Sequence, residues 1–220
     1  MDNTIDRLSK SRVIAVVRGI GPEEAVRTAQ ALINGGLDCM EFTFAPSAPE
    51  KIEDNCRCIR AASEAFGKDI CVGAGTVLDE NAVRLACDAG ARYIVSPDTN
   101  EKVIAETKRL GRVSVPGALT PTEIMTAYRA GADFIKLFPV STLGTEYIRA
   151  IRAPLSHVRL LAVGGVDEDN AVSFLRAGCC GVGIGGNLVR KSWIRDGQFE
   201  KITETALKLR RAIDEWEAQA

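Results

Sequence analysis

The sequence predicts an α/β fold of the (β/α)8 TIM-barrel type, opened by a short N-terminal helix. Three features carry that prediction. Apolar runs of strand length recur eight times, and each is nearly continuous, as in parallel strands covered on both faces. Amphipathic stretches with helical spacing lie between them. Most of those stretches stop at a glycine just before the next apolar run. Eight such units in 220 residues suit a closed barrel.

In chain order, residues 2–9 form the N-terminal helix and 13–17 the first strand. A helix begins at Gly21-Pro22-Glu23-Glu24, where proline suits the first turn and the acids face the positive end of the dipole. Its Ala25, Val26, Ala29, Leu32 and Ile33 share one face, and Gly35-Gly36 ends it. The remaining strands are 39–44, 70–74, 93–96, 113–116, 134–138, 160–163 and 182–184. Gly67, Gly111, Ala89-Gly90-Ala91, Ala130-Gly131-Ala132 and Ala177-Gly178-Cys179 are the helix stops, since glycine adopts positive φ without a Cβ penalty. Residues 199–217 form the last helix around Ile202, Ala206, Leu209 and Ile213. The competing fold is an open doubly wound sheet, supported by Gly181-Val182-Gly183-Ile184-Gly185-Gly186, which matches G-x-G-x-x-G. That motif lies near the chain end with one convincing helix after it, so no βαβ unit surrounds it and the barrel is preferred.

Composition narrows the function. With 46% hydrophobic and 26% charged residues, the chain can bury a large core, and residues 1–220 are expected to form one domain. A net charge of −1 supplies no field for a nucleic-acid backbone. The longest uncharged stretch, 177–189, falls short of the roughly 20 residues a membrane helix needs. The polar N-terminus lacks an apolar signal region, so a cytoplasmic protein without membrane or nucleic-acid partners is expected. The 7 cysteines are odd in number, with no zinc-knuckle or redox spacing, and are read as reduced packing residues. The single histidine, His157, is placed in a loop and excludes a multi-histidine zinc site within one chain. No metal and no cofactor are expected.

In a barrel, chemistry belongs at the C-terminal strand ends. Those ends present Arg18, Glu41, Thr43, Thr76, Pro97, Pro116, Lys136, Pro139, Gly164, Gly165, Gly185, Gly186 and Asn187. Lys136 interrupts an apolar strand, with alternation putting Phe134, Lys136 and Phe138 on one face. An ordinary lysine, with a pKa near about 10.4, is almost wholly protonated at neutral pH. An apolar site lowers that pKa and produces an amine nucleophile. Glu41 holds the analogous position on the second strand, across the barrel. The two are either a buried ion pair or a nucleophile with its acid/base partner. Gly164-Gly165 and Gly185-Gly186 follow strands seven and eight, the loops where barrels commonly bind phosphate through backbone N–H groups.

Seven segments carry a family resemblance: VIAVVRG (13–19), MEFTF (40–44), VGAGTVL (72–78), IVSP (94–97), VPG (115–117), FIKLFP (134–139) and AVGGV (162–166). In this order and spacing the chain resembles the 2-keto-3-deoxy-6-phosphogluconate aldolase family, which includes 4-hydroxy-2-oxoglutarate and galactonate-type aldolases. The resemblance implies a metal-independent class I aldolase, a homotrimer, with Lys136 forming the Schiff base and Glu41 the general acid/base. It implies that Thr76 binds the pyruvyl carboxylate, assisted by Arg18; some members instead carry the arginine where this chain has Ala45. Pro97, Gly164, Gly165, Gly185, Gly186 and Asn187 complete the implied substrate site, with Asn187 where relatives often have serine. The expected products are pyruvate and glyceraldehyde 3-phosphate. Val163, before the first glycine pair, resembles galactonate-type members, whereas gluconate-type members often have threonine. Two other readings stand beside it: a phosphosugar isomerase or decarboxylase on a related barrel, using the lysine without an imine, and a non-catalytic sugar-phosphate sensor.

Overall fold

The computed structural model describes residues 4–48 and 51–219. Nine parallel strands alternate with helices: β1 Val13–Val17, β2 Cys39–Thr43, β3 Cys71–Gly75, β4 Tyr93–Val95, β5 Val113–Val115, β6 Gly117–Ala118, β7 Ile135–Leu137, β8 Leu160–Val163 and β9 Gly181–Ile184. The sheet order is β5-β4-β3-β2-β1-β9-β8-β7-β6. Its two ends are successive pieces of one strand, parted by Pro116, whose nitrogen has no hydrogen to donate. That strand pairs on both sides. Ser96 N–H donates to Val115 O, while Phe134 and Lys136 N–H donate to Ser114 O and Pro116 O. The sheet is therefore a closed ring, and the open doubly wound alternative is excluded. The fifth strand runs two residues past the predicted 113–116 because pairing resumes once the chain passes the proline.

Ten α-helices are described: α1 Thr4–Ser11, α2 Pro22–Asn34, α3 Ile52–Phe66, α4 Glu80–Asp88, α5 Glu101–Arg109, α6 Pro121–Arg129, α7 Gly144–Arg152, α8 Ala171–Arg176, α9 Lys191–Arg195 and α10 Phe199–Glu217. The last has its predicted bounds. The N-terminal helix runs two residues beyond its predicted end at Ser9; its predicted start, Asp2, lies outside the described residues. Arg12 ends it at φ 62, a left-handed conformation that costs a non-glycine residue energy. The Arg12 side chain holds that turn, with Nε donating to Glu217 and a second nitrogen to Cys180 O. The short helix α9 was not foreseen.

Two apolar layers result. Ile135, Leu137 and their counterparts face outward and pack under the helices. Ile14, Cys39, Cys71, Tyr93, Val113, Phe134 and Leu161 fill the lower barrel, and Leu8 of α1 packs into the same cluster. The alternation read from FIKLFP is thus observed: Phe134 and Lys136 point in, Ile135 and Leu137 out. All seven cysteines are free. Burial pushes thiols such as Cys179 up to about 12 and Cys56 to about 11, which keeps them protonated and unreactive. His157 lies in the turn before β8, its ring edge-on to Tyr128 at 5.0 Å, at the opposite end of the barrel from the C-terminal strand ends.

Candidate active site

Above the apolar plug, the barrel interior changes character. Lys136 and Glu41 both line a narrow inner chamber walled by Ile14, Val16, Val95, Val115, Leu161 and Val163. Lys136 is 5% exposed and Glu41 2%. Each is placed by register: Glu41 pairs with Gly73 of β3, and Lys136 with Gly117 and Leu161 of the flanking strands. Among the described residues no hydrogen bond or ion pair within 4 Å involves the Lys136 side-chain amine, whose Nζ sits 4.8 Å from the centre of the Phe138 ring. Glu41 Oε2 and Thr43 Oγ1 are likewise buried without a hydrogen-bond partner. The pair is therefore not a closed salt bridge. Burial lowers the Lys136 pKa, with the Glu41 carboxylate opposing and the Arg18 guanidinium reinforcing that shift. Burial raises the Glu41 pKa, opposed by the positive charges of Lys136 and Arg18. An amine eased toward neutrality beside a carboxyl eased toward protonation can exchange protons and attack a carbonyl.

Two glycines of β3 make the chamber possible. A Cβ on Gly73 would lie 2.4 Å from the Tyr93 ring, whose hydroxyl donates to Met40 O below the chamber. A Cβ on Gly75 would lie 2.3 Å from Glu41 Oε1. The Gly73-Ala74-Gly75 run thus admits one large ring and one carboxylate on the inward face.

The chamber shares Val16, Val163 and Gly183 with an outer cleft of about 520 Å3, open mouth included. Arg18, Phe138, Gly164, Gly165, Gly185, Gly186 and Asn187 line that cleft. Gly164 and Gly165 adopt φ of 94° and 80°, which residues with a Cβ rarely do. Among the described residues, the N–H groups of Gly164, Gly165, Val166, Gly186 and Asn187 have no protein acceptor. Their carbonyls are another matter: Val163 O and Gly164 O accept from Val140 and Ser141 N–H, and Gly185 O from Leu188 and Val189 N–H. A row of unused N–H groups beside an arginine suits an anion. The Asn187 amide donates to Val166 O, so that donor is occupied within the protein.

The structure thus brings Lys136 and Glu41 into the chamber, and Arg18, both glycine pairs and Asn187 into the adjoining cleft. Thr76 and Pro97 follow β3 and β4 at the same end of the barrel but line neither space. Thr76 holds φ 55, a strained backbone for a β-branched residue. Phe138 was foreseen only as sharing the Lys136 face; its position against the amine follows from the same alternation.

The sequence matches the family model of KDPG and KHG aldolase over residues 4–205. It is 37% identical over 183 residues to the 2-dehydro-3-deoxy-6-phosphogalactonate aldolase of Escherichia coli (strain K12), covering 83% of this chain and 86% of that one. The native KDPGal structure superimposes with a TM-score of 0.82 at 36% identity, over 92% of this chain and 94% of that one. The KDPG aldolase of Legionella pneumophila, solved with pyruvate captured as a covalent carbinolamine intermediate, gives a TM-score of 0.83 at 25% identity, over 93% of this chain and 97% of that one.

Proposed function

The chain belongs to the KDPG and KHG aldolase family, and from that membership we propose how its own residues carry the chemistry. It is a carbon–carbon lyase of the class I type. It cleaves a 2-keto-3-deoxy-6-phospho sugar acid, of gluconate or galactonate type, to pyruvate and glyceraldehyde 3-phosphate through a Schiff base. The observation that carries the assignment to Lys136 is a buried lysine with no ion-pair partner, in a chamber that opens on a glycine-lined cleft.

Lys136 Nζ adds to the carbonyl at carbon two, and loss of water gives an iminium. Glu41 carries protons to and from the departing oxygen. It then takes the proton of the hydroxyl on carbon four. The bond between carbons three and four breaks, and its electron pair moves into the iminium to form an enamine, so the lysine is the electron sink and no metal is needed. The aldehyde leaves. The enamine is protonated at carbon three, and water releases pyruvate. Arg18 and Thr76 are assigned to the pyruvyl carboxylate, and Pro97 to substrate binding. Gly164, Gly165, Gly185, Gly186 and Asn187 are assigned to the phosphate, with Asn187 acting through its backbone. In this reading the chain works as one barrel domain over residues 1–220, cytoplasmic and homotrimeric, with 4-hydroxy-2-oxoglutarate as a further substrate.

Val163 lines both spaces and has no hydroxyl to donate to the sugar. We therefore expect galactonate-type or dual-epimer use over strict gluconate selectivity. Steady-state kinetics should give the highest kcat/KM with a phosphorylated six-carbon acid, the galactonate epimer being at least as good as the gluconate. A maximum with unphosphorylated 4-hydroxy-2-oxoglutarate would overturn the phosphate assignment; a large gluconate preference would overturn only the Val163 argument.

A further inference from the structure

The loop after β8 is held by its carbonyls. In a trans peptide the N–H points opposite to the C=O, so capturing one aims the other. The peptides of this loop are trans. Val163 O and Gly164 O are taken by Val140 and Ser141 N–H at 3.0 Å each, which turns the N–H groups of Gly164 and Gly165 away from the loop after β7. The next carbonyl, Gly165 O, has no backbone donor. The side chain of Asn170 supplies one, its Nδ2 donating at 3.0 Å. That bond fixes the peptide that carries the Val166 N–H, which like the two before it has no protein acceptor among the described residues. The following peptide is gripped at both ends: Asp167 N–H donates to Asn170 Oδ1 at 3.0 Å, and Val166 O accepts from Asn187 Nδ2 at 3.1 Å. Asn187 stands in the loop after β9, so its amide also ties the two glycine loops together. Asn170 does not line the cleft.

We propose that Asn170 and Asn187 are positioning residues for phosphate recognition, whose side-chain amides hold the peptides of residues 165–167 so that three successive N–H groups, those of Gly164, Gly165 and Val166, face one anion. The proposal rests on the phosphate reading above. Its physical sense is preorganisation. Glycine peptides at positive φ can rotate, and an unbraced loop would spend part of its binding free energy on ordering itself. Two amides anchored in the protein do that ordering before the ligand arrives.

The test compares wild type with Asn170→Ala and Asn187→Ala, using a phosphorylated six-carbon substrate, an unphosphorylated substrate, and inorganic phosphate as inhibitor. Losing one such hydrogen bond should raise KM for the phosphorylated substrate and the phosphate inhibition constant by roughly 3- to 10-fold. kcat should change less than KM, and the preference for the phosphorylated substrate should fall by the same factor. Asn170→Asp is the second variant at that position, because it keeps the acceptor for Asp167 N–H and so protects the fold while removing the donor. An unchanged preference in folded variants, or an equal loss on both substrates, would overturn the positioning role. A wild type that neither prefers phosphorylated substrate nor is inhibited by phosphate would overturn the phosphate reading itself, and this inference with it.

Discussion

The inner chamber and the outer cleft are built on opposite rules. In the chamber, polar atoms are left without partners: the Lys136 amine has no ion pair, and Glu41 Oε2 has no hydrogen-bond partner. In the cleft, the carbonyls of Val163, Gly164, Gly165, Val166 and Gly185 are captured by donors of the protein, while the N–H groups of Gly164, Gly165, Val166, Gly186 and Asn187 have no protein acceptor among the described residues. The difference follows from what each region must do. A group that gains and loses protons works best when neither of its states is locked by a hydrogen bond, and burial then moves its pKa toward the working range. A group that recognises a fixed charge works best when it cannot move. Shared walls at Val16, Val163 and Gly183 set the two side by side, so one ligand can lie in both.

The sharpest break of this contrast is Glu41→Gln. It keeps size and polarity but removes the proton shuttle, so kcat should fall by roughly 10²–10⁴ while the protein stays folded. The substitution also deletes the negative charge that holds the Lys136 pKa up. Imine formation with pyruvate in Glu41→Gln should therefore reach its plateau at lower pH than in wild type. Trapping rates measured against pH would check the sign; an unchanged profile would mean that the two side chains are not electrostatically linked, and a shift to higher pH would contradict the predicted sign.

A smaller effect is expected one strand away. Gly75→Ala introduces a Cβ that would lie 2.3 Å from Glu41 Oε1, and Gly75 does not occupy the left-handed region, so its backbone tolerates alanine. The carboxylate has to move, and a displacement on the order of 1 Å at a reacting group can lower turnover by up to about 10²-fold. Thermal unfolding should change little. Wild-type turnover in Gly75→Ala would show that the Glu41 position is not critical.

Much of this was legible in the chain. The strands were plain because parallel strands under helices are apolar on both faces, and a charged residue within such a run stands out, as Lys136 and Glu41 do. What stayed hidden depends on contacts across the barrel. Nothing local announces that Gly73 makes room for Tyr93 and Gly75 for Glu41, since the partners lie 20 and 34 positions away in the sequence. Asn170 was not singled out in the sequence, and its bond to Gly165 O appears only once the turn is formed. Pro116 marked a strand end in the sequence, whereas in the barrel it interrupts a strand whose neighbours supply the missing bonds.

The central claim is that the partnerless lysine of the chamber is the electron sink. Wild-type protein treated with pyruvate and borohydride should gain the mass of one reduced pyruvyl group, located at Lys136 by peptide mapping, and Lys136→Met should show neither the adduct nor turnover. An isomerase or decarboxylase reading predicts no adduct at all. Labelling at a different lysine, or labelling that persists in Lys136→Met, would contradict the account.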